Sequence, residues 1–261
     1  MGRTRRFIDA IADGDYYSAG MSFAPTDEFK AAWFNAGSGI HKSRLSRHNG
    51  LWELDYRGQE KFWLPRPDDA VRFTRNGGYG RVYSKYVAHP EITIRPNTTV
   101  VDIGAYIGEF SRGLPSSCEV VVVEPDPRSV RCLRRNTGEN VSVFEGAAWD
   151  SSGELELKLG RDGSETSFFT PDAGGSRGTV TVPSFRVENF VNGDVELLKV
   201  EAEGAEPEAL EGAIGLEPYQ IVVDINDERG GEPTETIITD ILRREGYDVT
   251  VRGEVAIGVR E

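Results

Sequence analysis

The stretch VVDIGAYIGEF, from Val100 to Phe110, decides the fold of this chain. Its apolar start predicts a buried β-strand, which ends at a carboxylate, turns on glycine and continues as a helix. α/β proteins use such a glycine turn between a strand and a helix to hold a nucleotide. The stretch therefore predicts a nucleotide-type cofactor and leaves open which cofactor it is.

Buried strands and helices alternate along the chain after residue 90. The further predicted strands lie in EVVVVE (119–124), VSVFE (141–145), VELLKVEAEGAE (195–206), YQIVVDIND (219–227) and YDVTVRGEVAIGVR (247–260). The predicted helices are PDPRSVRCLRRN (125–136), EPEALEGA (206–213) and TETIITDILRREG (234–246). Continuous apolar strands separated by helices are typical of a parallel sheet covered on both faces, and the terminal hairpin makes this sheet mixed.

A change of composition near residue 90 predicts two parts. Residues 1–89 form an N-terminal extension, partly helical, with a hairpin in LWELDYRGQEKFWLP (51–65). Residues 90–261 form the cofactor-binding domain, with a β-rich insertion at 150–185. We expect the aromatic side chains of the extension to pack against the sheet, and a platform that binds a substrate is the alternative.

The charge balance and the apolar runs indicate the salt concentration, the partners and the compartment in which the protein works. The net charge is −13, from 43 acidic and 30 basic residues, and only six of the basic residues are Lys. This balance favours adaptation to concentrated salt, where screening removes self-repulsion, over an ordinary acidic protein. The absence of a basic stripe argues against a nucleic-acid partner. Since no apolar run approaches the ~20 residues of a membrane span, and the start lacks a signal peptide's apolar region, we expect a cytoplasmic protein.

The glycine spacing selects between two cofactors. The dinucleotide fingerprint G-x-G-x-x-G, started at Gly104, fails because Tyr106 and Glu109 occupy its later glycine positions. The carboxylate of Asp102 at the strand tip would repel a pyrophosphate, but it suits the ammonium and sulfonium groups of S-adenosylmethionine. Glu124 ends the next strand and can accept hydrogen bonds from the ribose hydroxyls of either cofactor.

Four blocks of sequence resemble one family. They are VVDIGAYIGEFS, VVVEPDPRSVRCLRRN, AAWDSSGELEL and LLKVEAEGAEPEALEGA, in this order between residues 90 and 225. Together they resemble the FkbM-type S-adenosylmethionine-dependent methyltransferases. The resemblance implies the class I methyltransferase (Rossmann-like) fold, a doubly wound seven-stranded mixed sheet whose last strand is antiparallel.

The resemblance also implies which residues bind the cofactor. The methionine-binding turn corresponds to Asp102, Gly104, Ala105 and Gly108; the ribose-binding acid to Glu124, followed by Pro125; and the adenine-binding loop to residues 146–149, with Ala148 and Trp149. One departure is clear. Glu201 stands where the family's fourth strand usually carries Asp.

The catalytic candidates lie after strands four and five, because ligands of open α/β sheets sit beyond the carboxyl ends of the strands. They are Glu201 and Glu203 after strand four, and Asp224, Asn226 and Asp227 around the end of strand five. Glu201 and Glu203 share a side if the fourth strand extends that far. In one hypothesis, a carboxylate of this group is a general base whose pKa is raised by like-charged neighbours. A second hypothesis is a Mg²⁺ site made by Glu201 with Asp224, Asn226 or Asp227. In a third, these residues only cap helices or orient the cofactor.

The resemblance implies methyl transfer to an oxygen, of a hydroxyl or a carboxylate, on a sugar, glycolipid or other small molecule. Two alternatives remain. One is an NAD(P)-dependent oxidoreductase, although the third glycine and a Tyr-x-x-x-Lys pair are missing. The other is a non-catalytic nucleotide-binding module, which the departure at Glu201 keeps open. An edge strand would also support a homodimer.

Overall fold

The computed structural model of the chain consists of two compact units, residues 1–81 and 82–261. The structure describes residues 26–37, 42–75, 77–160, 166–169, 176–226, 229 and 233–260. The division falls eight residues before the boundary that the change of composition predicts. Among the described residues, no helix has both the length and the apolar composition required to cross a membrane.

The first unit contains a three-stranded antiparallel sheet. Its elements are α1 (Asp27–Ala36), β1 (Arg44–His48), β2 (Leu51–Tyr56), β3 (Glu60–Leu64) and α2 (Asp68–Arg75). The predicted hairpin is confirmed, because β2 and β3 pair antiparallel. The amide of Asn35 ties α1 to β1 with hydrogen bonds to both backbone groups of Leu45. Phe62 and Phe73 are fully buried, whereas Trp33 is 43% exposed. These exposures do not test whether the unit binds an acceptor, which stays a prediction.

The second unit is the predicted α/β domain. Its helices are α3 (Gly80–Val87), α4 (Glu109–Gly113), α5 (Pro127–Asn136), α6 (Glu206–Glu211) and α7 (Glu235–Arg244). Its strands are β4 (Thr99–Ile103), β5 (Glu119–Glu124), β6 (Val141–Glu145), β7 (Ala147–Ala148), β8 (Gly153–Gly160), β9 (Ser176–Phe185), β10 (Val195–Val200), β11 (Gln220–Asp224), β12 (Asp248–Arg252) and β13 (Val255–Val259). Asp126 caps α5 and accepts a hydrogen bond from the amide of Arg128, as its position before Pro127 predicts.

The main sheet has seven strands in the order β12-β13-β11-β10-β4-β5-β6. The central pairs are parallel, and β13 runs antiparallel to both of its neighbours. This confirms the predicted seven-stranded mixed sheet with an antiparallel last strand. The chain first builds outward from β4 to β6 and then returns to place β10 on the other side of β4. Such a switch point leaves a crevice at the carboxyl ends of the strands, and β4 and β10 border it here.

Apolar side chains cover both faces of this sheet. On one face, Val101 and Leu198 pack with α6 and α7. On the other face, Val100, Val122 and Leu197 pack with side chains of α3, α4 and α5. The β-rich insertion forms a separate small sheet, in which β9 pairs antiparallel with β8 and parallel with β7. Polar groups inside the main sheet are therefore exceptions that require partners.

Gly104 is needed where the chain leaves β4. Its φ of +71° is left-handed, and a Cβ atom placed there would lie 1.5 Å from the carbonyl oxygen of Glu201. That oxygen belongs to the backbone just after β10, so it cannot rotate away as a side chain can. The first glycine of the turn therefore allows the ends of β4 and β10 to lie side by side.

We predict that Gly104→Ala lowers the free energy of unfolding by several kcal/mol, because it adds a backbone clash to the strain of a positive φ. Gly253→Ala is the matched control. Gly253 also has a positive φ (+60°), but a Cβ atom placed there would meet nothing within 4 Å. The control should lose only about 1 kcal/mol. Equal losses for the two variants in chemical denaturation would contradict the clash.

Candidate functional site

The turn after β4 is held in an unusual backbone conformation. Gly104, Tyr106 and Gly108 all have positive φ values, of +71°, +50° and +87°. The amide of Gly104 donates to the carbonyl of Val123, and the amide of Gly108 donates to the carbonyl of Ala105. A Cβ atom on Gly108 would lie 2.8 Å from side-chain atoms of Leu133 and Thr137. The described contacts thus explain both glycines of the motif.

A buried ammonium lies directly beneath this turn. Lys199 on β10 is 1% exposed, and its Nζ lies 2.9 Å from the carbonyl oxygen of Gly104 and 3.3 Å from that of Ile103. The same Nζ lies 3.1 Å from Asp102 Oδ1 and 3.3 Å from Glu201 Oε2. Burial alone would lower the pKa of Lys199, but the two carboxylates outweigh it and raise the pKa to about 12. One permanent positive charge therefore joins the turn, the tip of β4 and the end of β10.

Asp102 is predicted to present a free negative charge to the cofactor, but its carboxylate is paired inside the protein. It is completely buried, in the layer between the sheet and the helices. There it pairs with Lys199, and its Oδ2 accepts a 2.6 Å hydrogen bond from the hydroxyl of Ser111. Its charge is thus compensated inside the protein. A direct contact between Asp102 and the cofactor stays a prediction, whereas its link to the turn through Lys199 is observed.

Glu124 lies at the tip of β5, beside the turn. Its carboxylate oxygens accept hydrogen bonds from the amides of Tyr106 (2.8 Å) and Asp126 (2.9 Å). Burial raises the pKa of Glu124 to about 8, although the two amide donors act in the opposite direction. Each oxygen keeps a second lone pair, so the ionised group can still accept two hydroxyl hydrogens. The half-buried Pro125 follows at the same strand end.

A second cluster of charges lies at the carboxyl ends of β10 and β11. Lys85 of α3 bridges two carboxylates, with its Nζ 3.3 Å from Glu201 Oε1 and 3.2 Å from Asp224 Oδ2. The side chains of Lys85 and Glu201 are 24% and 27% exposed, whereas that of Asp224 is 2% exposed. Asp224 also accepts a hydrogen bond from the side-chain amide of Asn226.

A raised pKa is predicted for one carboxylate of this group, and Glu201 is not that carboxylate. Burial raises the pKa of Glu201, but the positive charges of Lys199 and Lys85 outweigh the effect of burial and lower this pKa to about 2. The pKa of Asp224 is instead raised to about 6, because burial and the charge of Glu201 outweigh Lys85. Asp224, and not Glu201, is therefore the carboxylate of this cluster that can hold a proton near neutral pH.

Glu203 does not share a side of a strand with Glu201, because β10 ends at Val200 and Glu203 sits in a turn with a φ of +50°. This turn is held from two sides. The hydroxyl of Ser167 donates to the carbonyl of Glu203, and Arg229 donates to the carbonyl of Gly204. A catalytic role for Glu203 stays a prediction.

Glu206 begins α6, as its place beside Pro207 predicts. Its buried carboxylate accepts hydrogen bonds from the amides of Ala202 and Gly204, and so holds the preceding turn. Burial raises the pKa of Glu206 to about 7. The side chain thus supports the end of β10.

The magnesium hypothesis has less support than the sequence suggests. The space between Glu201 and Asp224 holds the ammonium of Lys85, which already supplies a cation to both carboxylates. Among the residues that the structure describes, no group of three or more His, Cys, Asp or Glu side chains is arranged to hold a metal ion. Asp227 lies outside the described residues.

The predicted adenine-binding loop lies beside β7. Ala148 is buried, and the half-buried ring of Trp149 contacts Phe168 edge to face, with 5.2 Å between ring centres. The amide of Trp149 donates to the carbonyl of Phe185, which anchors the loop to β9. The position fits an adenine site at the end of β6, and the contact itself stays a prediction.

The residues present fit S-adenosylmethionine. Glu124 offers acceptors for a pair of ribose hydroxyls, and the left-handed turn from Gly104 to Gly108 exposes backbone next to them. Among the described residues, four charged side chains besides Asp102 form the linked ion pairs at the turn and the β10–β11 ends, namely Lys85, Lys199, Glu201 and Asp224. With Asp102 they carry two positive and three negative charges above a pH of about 6, a balance that favours a cationic ligand.

Sequence reasoning missed Lys85 and the part played by Lys199. Lys85 precedes the region of regular alternation, so no pattern assigns it to the site. Lys199 did carry a signal, since it is a charged residue in a strand whose six positions are all buried. A lysine in such a strand needs carboxylate or carbonyl partners.

Comparison with known families matches residues 102–249, more than half of the chain, to the methyltransferase FkbM domain. Comparison with curated protein sequences gave no significant match. A solved structure with a similar fold is the methyltransferase FkbM from Methylobacillus flagellatus KT, with 16% identity and a TM-score of 0.50. The alignment covers 73% of this chain and 52% of that one, so the chain spans about half the length of this relative.

Another similar structure is the TehB-like SAM-dependent methyltransferase from Corynebacterium glutamicum ATCC 13032 Kitasato. It is 12% identical, with a TM-score of 0.43, and the alignment covers 74% of this chain and 97% of that one. At these identities the likeness concerns the fold.

We predict that the affinity for adenosine, a probe with ribose and adenine but no amino acid, increases as the pH rises through about 8. Only the ionised Glu124 can accept from both hydroxyls, and its pKa is about 8. Glu124→Gln should weaken binding about tenfold or more at a pH of about 9 and remove the pH dependence. Calorimetric titration at several pH values measures both effects.

Glu119→Gln is the control, because it removes a charge from the exposed opposite end of the same strand. It should leave the affinity and its pH dependence unchanged. A wild-type affinity that does not change between about pH 6.5 and about pH 9.5 would contradict the assignment of Glu124.

Proposed function

Because the chain belongs to the FkbM methyltransferase family, we propose that it transfers the methyl group of S-adenosylmethionine to an oxygen atom of a small-molecule acceptor. The acceptor class is a hydroxyl compound such as a sugar or a glycolipid, and a carboxylate that gives a methyl ester is the second candidate. The order of the parallel strands, β6-β5-β4-β10-β11, is also that of a dinucleotide-binding oxidoreductase, and the antiparallel β13 departs from its parallel sheet. The glycine spacing and the family match, more than the sheet, therefore disfavour the oxidoreductase alternative.

One observation supports oxygen methylation most strongly: a lysine and a carboxylate with a pKa near neutrality lie beside the crevice. The cofactor supplies a methyl group that its sulfonium already activates. What remains for the protein is to align the acceptor, exclude water and take up the acceptor's proton. Lys85 and Asp224 form a pair that can perform the last task.

The solvent exposures of Lys85 and Asp224 indicate which of the two side chains meets the acceptor first. Lys85 is partly exposed, so the acceptor hydroxyl meets its ammonium, whereas the buried Asp224 lies behind it. As the methyl group is transferred, the hydroxyl proton moves to Nζ of Lys85 while Nζ gives one of its protons to Asp224 in the same step. Burial alone would lower the pKa of Lys85, but the two carboxylates outweigh it and raise this pKa, so Lys85 does not release a proton beforehand. Lys85 is then again an ammonium, Asp224 is neutral, and the acceptor oxygen carries the methyl group. The low pKa of Glu201 keeps it charged, so it holds Lys85 in place.

The proposal predicts the pH dependence of turnover. Since Asp224 must be ionised to take up the proton and its pKa is about 6, kcat should rise with pH through about 6 and then level off. Asp224→Asn should lower kcat about 10²- to 10⁴-fold and abolish this rise. The assay is radiolabelled methyl transfer from S-adenosylmethionine to a panel of neutral glycosides and the matching uronic acids.

Asp240→Asn on α7 is the control, because Asp240 is 71% exposed and pairs only weakly with Arg243. Treatment of the product with alkali separates the two acceptor classes, because an ester is cleaved and an ether is not. If Asp224→Asn keeps full turnover on a hydroxyl acceptor, the base assignment is wrong. Binding of the cofactor without transfer to any compound of the panel would favour the non-catalytic module.

We also propose that the protein works in concentrated salt. The support is its charge of −13 with 24 Arg and only six Lys among the basic residues. Salt screens repulsion between exposed carboxylates, while the buried contacts of Lys199 are screened much less. Melting temperature and turnover should therefore both increase between about 0.1 M and about 2 M KCl. A maximum at the lowest salt concentration would argue for an ordinary acidic protein.

A further inference from the structure

We propose that Lys199 is a positioning residue, which holds the turn from Gly104 to Gly108 in its cofactor-binding conformation and links it to the acceptor side through Glu201. The proposal rests on the proposed function for the identity of the cofactor. It goes beyond that function because it assigns a task to a residue that the cofactor does not need to touch.

The contacts of the ammonium show why it can hold the turn. Nζ lies 2.9 Å from the carbonyl oxygen of Gly104 and 3.3 Å from that of Ile103, so both carbonyls point inward toward the positive charge. With these carbonyls turned inward, the amides of Tyr106 and Gly108 are left to form the hydrogen bonds that shape the turn. A neutral side chain at this position would take the cation from the Gly104 carbonyl, whereas the Ile103 carbonyl would still accept from the amide of Glu201.

The same atom reaches the acceptor side. Each carboxylate oxygen of Glu201 pairs with a different lysine. Oε2 lies 3.3 Å from Nζ of Lys199, and Oε1 lies 3.3 Å from Nζ of Lys85. The rings of Tyr86 and Phe110 lie 5.2 and 6.0 Å from the Lys199 Nζ and close off this region from water. A charge this deeply buried is held in one geometry, because moving it away from its partners is costly. The turn and Glu201 therefore cannot shift independently of each other.

The decisive variant is Lys199→Met, which keeps an unbranched side chain and removes the ammonium. Without any ligand, amide hydrogen exchange at Tyr106 and Gly108 should become at least about tenfold faster than in the wild type. With S-adenosylhomocysteine as the probe, the dissociation constant should increase at least about tenfold in calorimetric titration.

Leu242→Ala is the matched control for lost stability. Leu242 is fully buried on α7, on the face of the sheet away from α4, and its truncation destabilises by a cavity. It should lower the melting temperature by a comparable amount, yet leave turn exchange and probe affinity within about twofold of the wild type. If the two variants change exchange and affinity equally, Lys199 is only a stability residue and the proposal is overturned.

Lys199→Arg tests the geometry in case the methionine variant does not fold. It retains the charge, but its planar guanidinium cannot place one atom close to both the Gly104 carbonyl and Glu201. We expect faster turn exchange and at least about fivefold weaker binding of the probe. Wild-type behaviour in both measurements would overturn the proposal. If the wild type itself does not bind the probe, the proposed function fails, while the exchange measurement still decides the role of Lys199.

Discussion

The candidate site depends on one interaction, the burial of the Lys199 ammonium among two backbone carbonyls and two carboxylates. Leaving a buried charge without its partner typically costs about 3–5 kcal/mol, so each member of this group stabilises the position of the others. The ammonium touches the end of β4 through Asp102, the turn through Gly104, and the end of β10 through Glu201. The buried ammonium of Lys199 thus holds the backbone and side chains that border the crevice of the sheet.

This arrangement changes the electrostatic basis of cofactor selection. A single carboxylate at the strand tip would attract a cation simply by its charge, but Asp102 is buried and compensated. The described ion pairs at the crevice join three carboxylates to two ammonium groups. The carboxylates belong to Asp102, Glu201 and Asp224, and the ammonium groups belong to Lys85 and Lys199. We propose that the whole network, and not Asp102 alone, favours a cationic cofactor, while Glu124 provides hydrogen-bond acceptors of its own.

The network also separates two tasks among similar side chains. Glu201 and Asp224 contact the same lysine, yet Glu201 has a pKa of about 2 and Asp224 one of about 6. The difference follows from the second lysine, because Lys199 reaches Glu201 at 3.3 Å and acts on Asp224 only weakly. In the proposed mechanism, Glu201 therefore holds Lys85 in place and Asp224 accepts the proton.

Local patterns in the sequence were enough to predict much of the fold. Apolar runs located the strands of the main sheet, Asp126 marked the start of a helix, and the glycines marked the turn after β4. Pairings between distant segments could not be predicted in this way. Glu201 faces two lysines that are 116 and 2 residues away along the chain. This depends on how α3 and β10 pack, and it decides which carboxylate of the candidate group has the raised pKa.

A crystal structure of the complex with S-adenosylhomocysteine tests the central claim most directly. We expect ribose hydroxyls within hydrogen-bonding distance of Glu124, the amino-acid part over the turn from Gly104 to Gly108, and the sulfur directed toward the ends of β10 and β11. Lys199 should keep its contacts with the Gly104 carbonyl and Glu201. A ligand bound elsewhere, or a turn that leaves Lys199 when the ligand binds, would contradict this role of the buried ammonium.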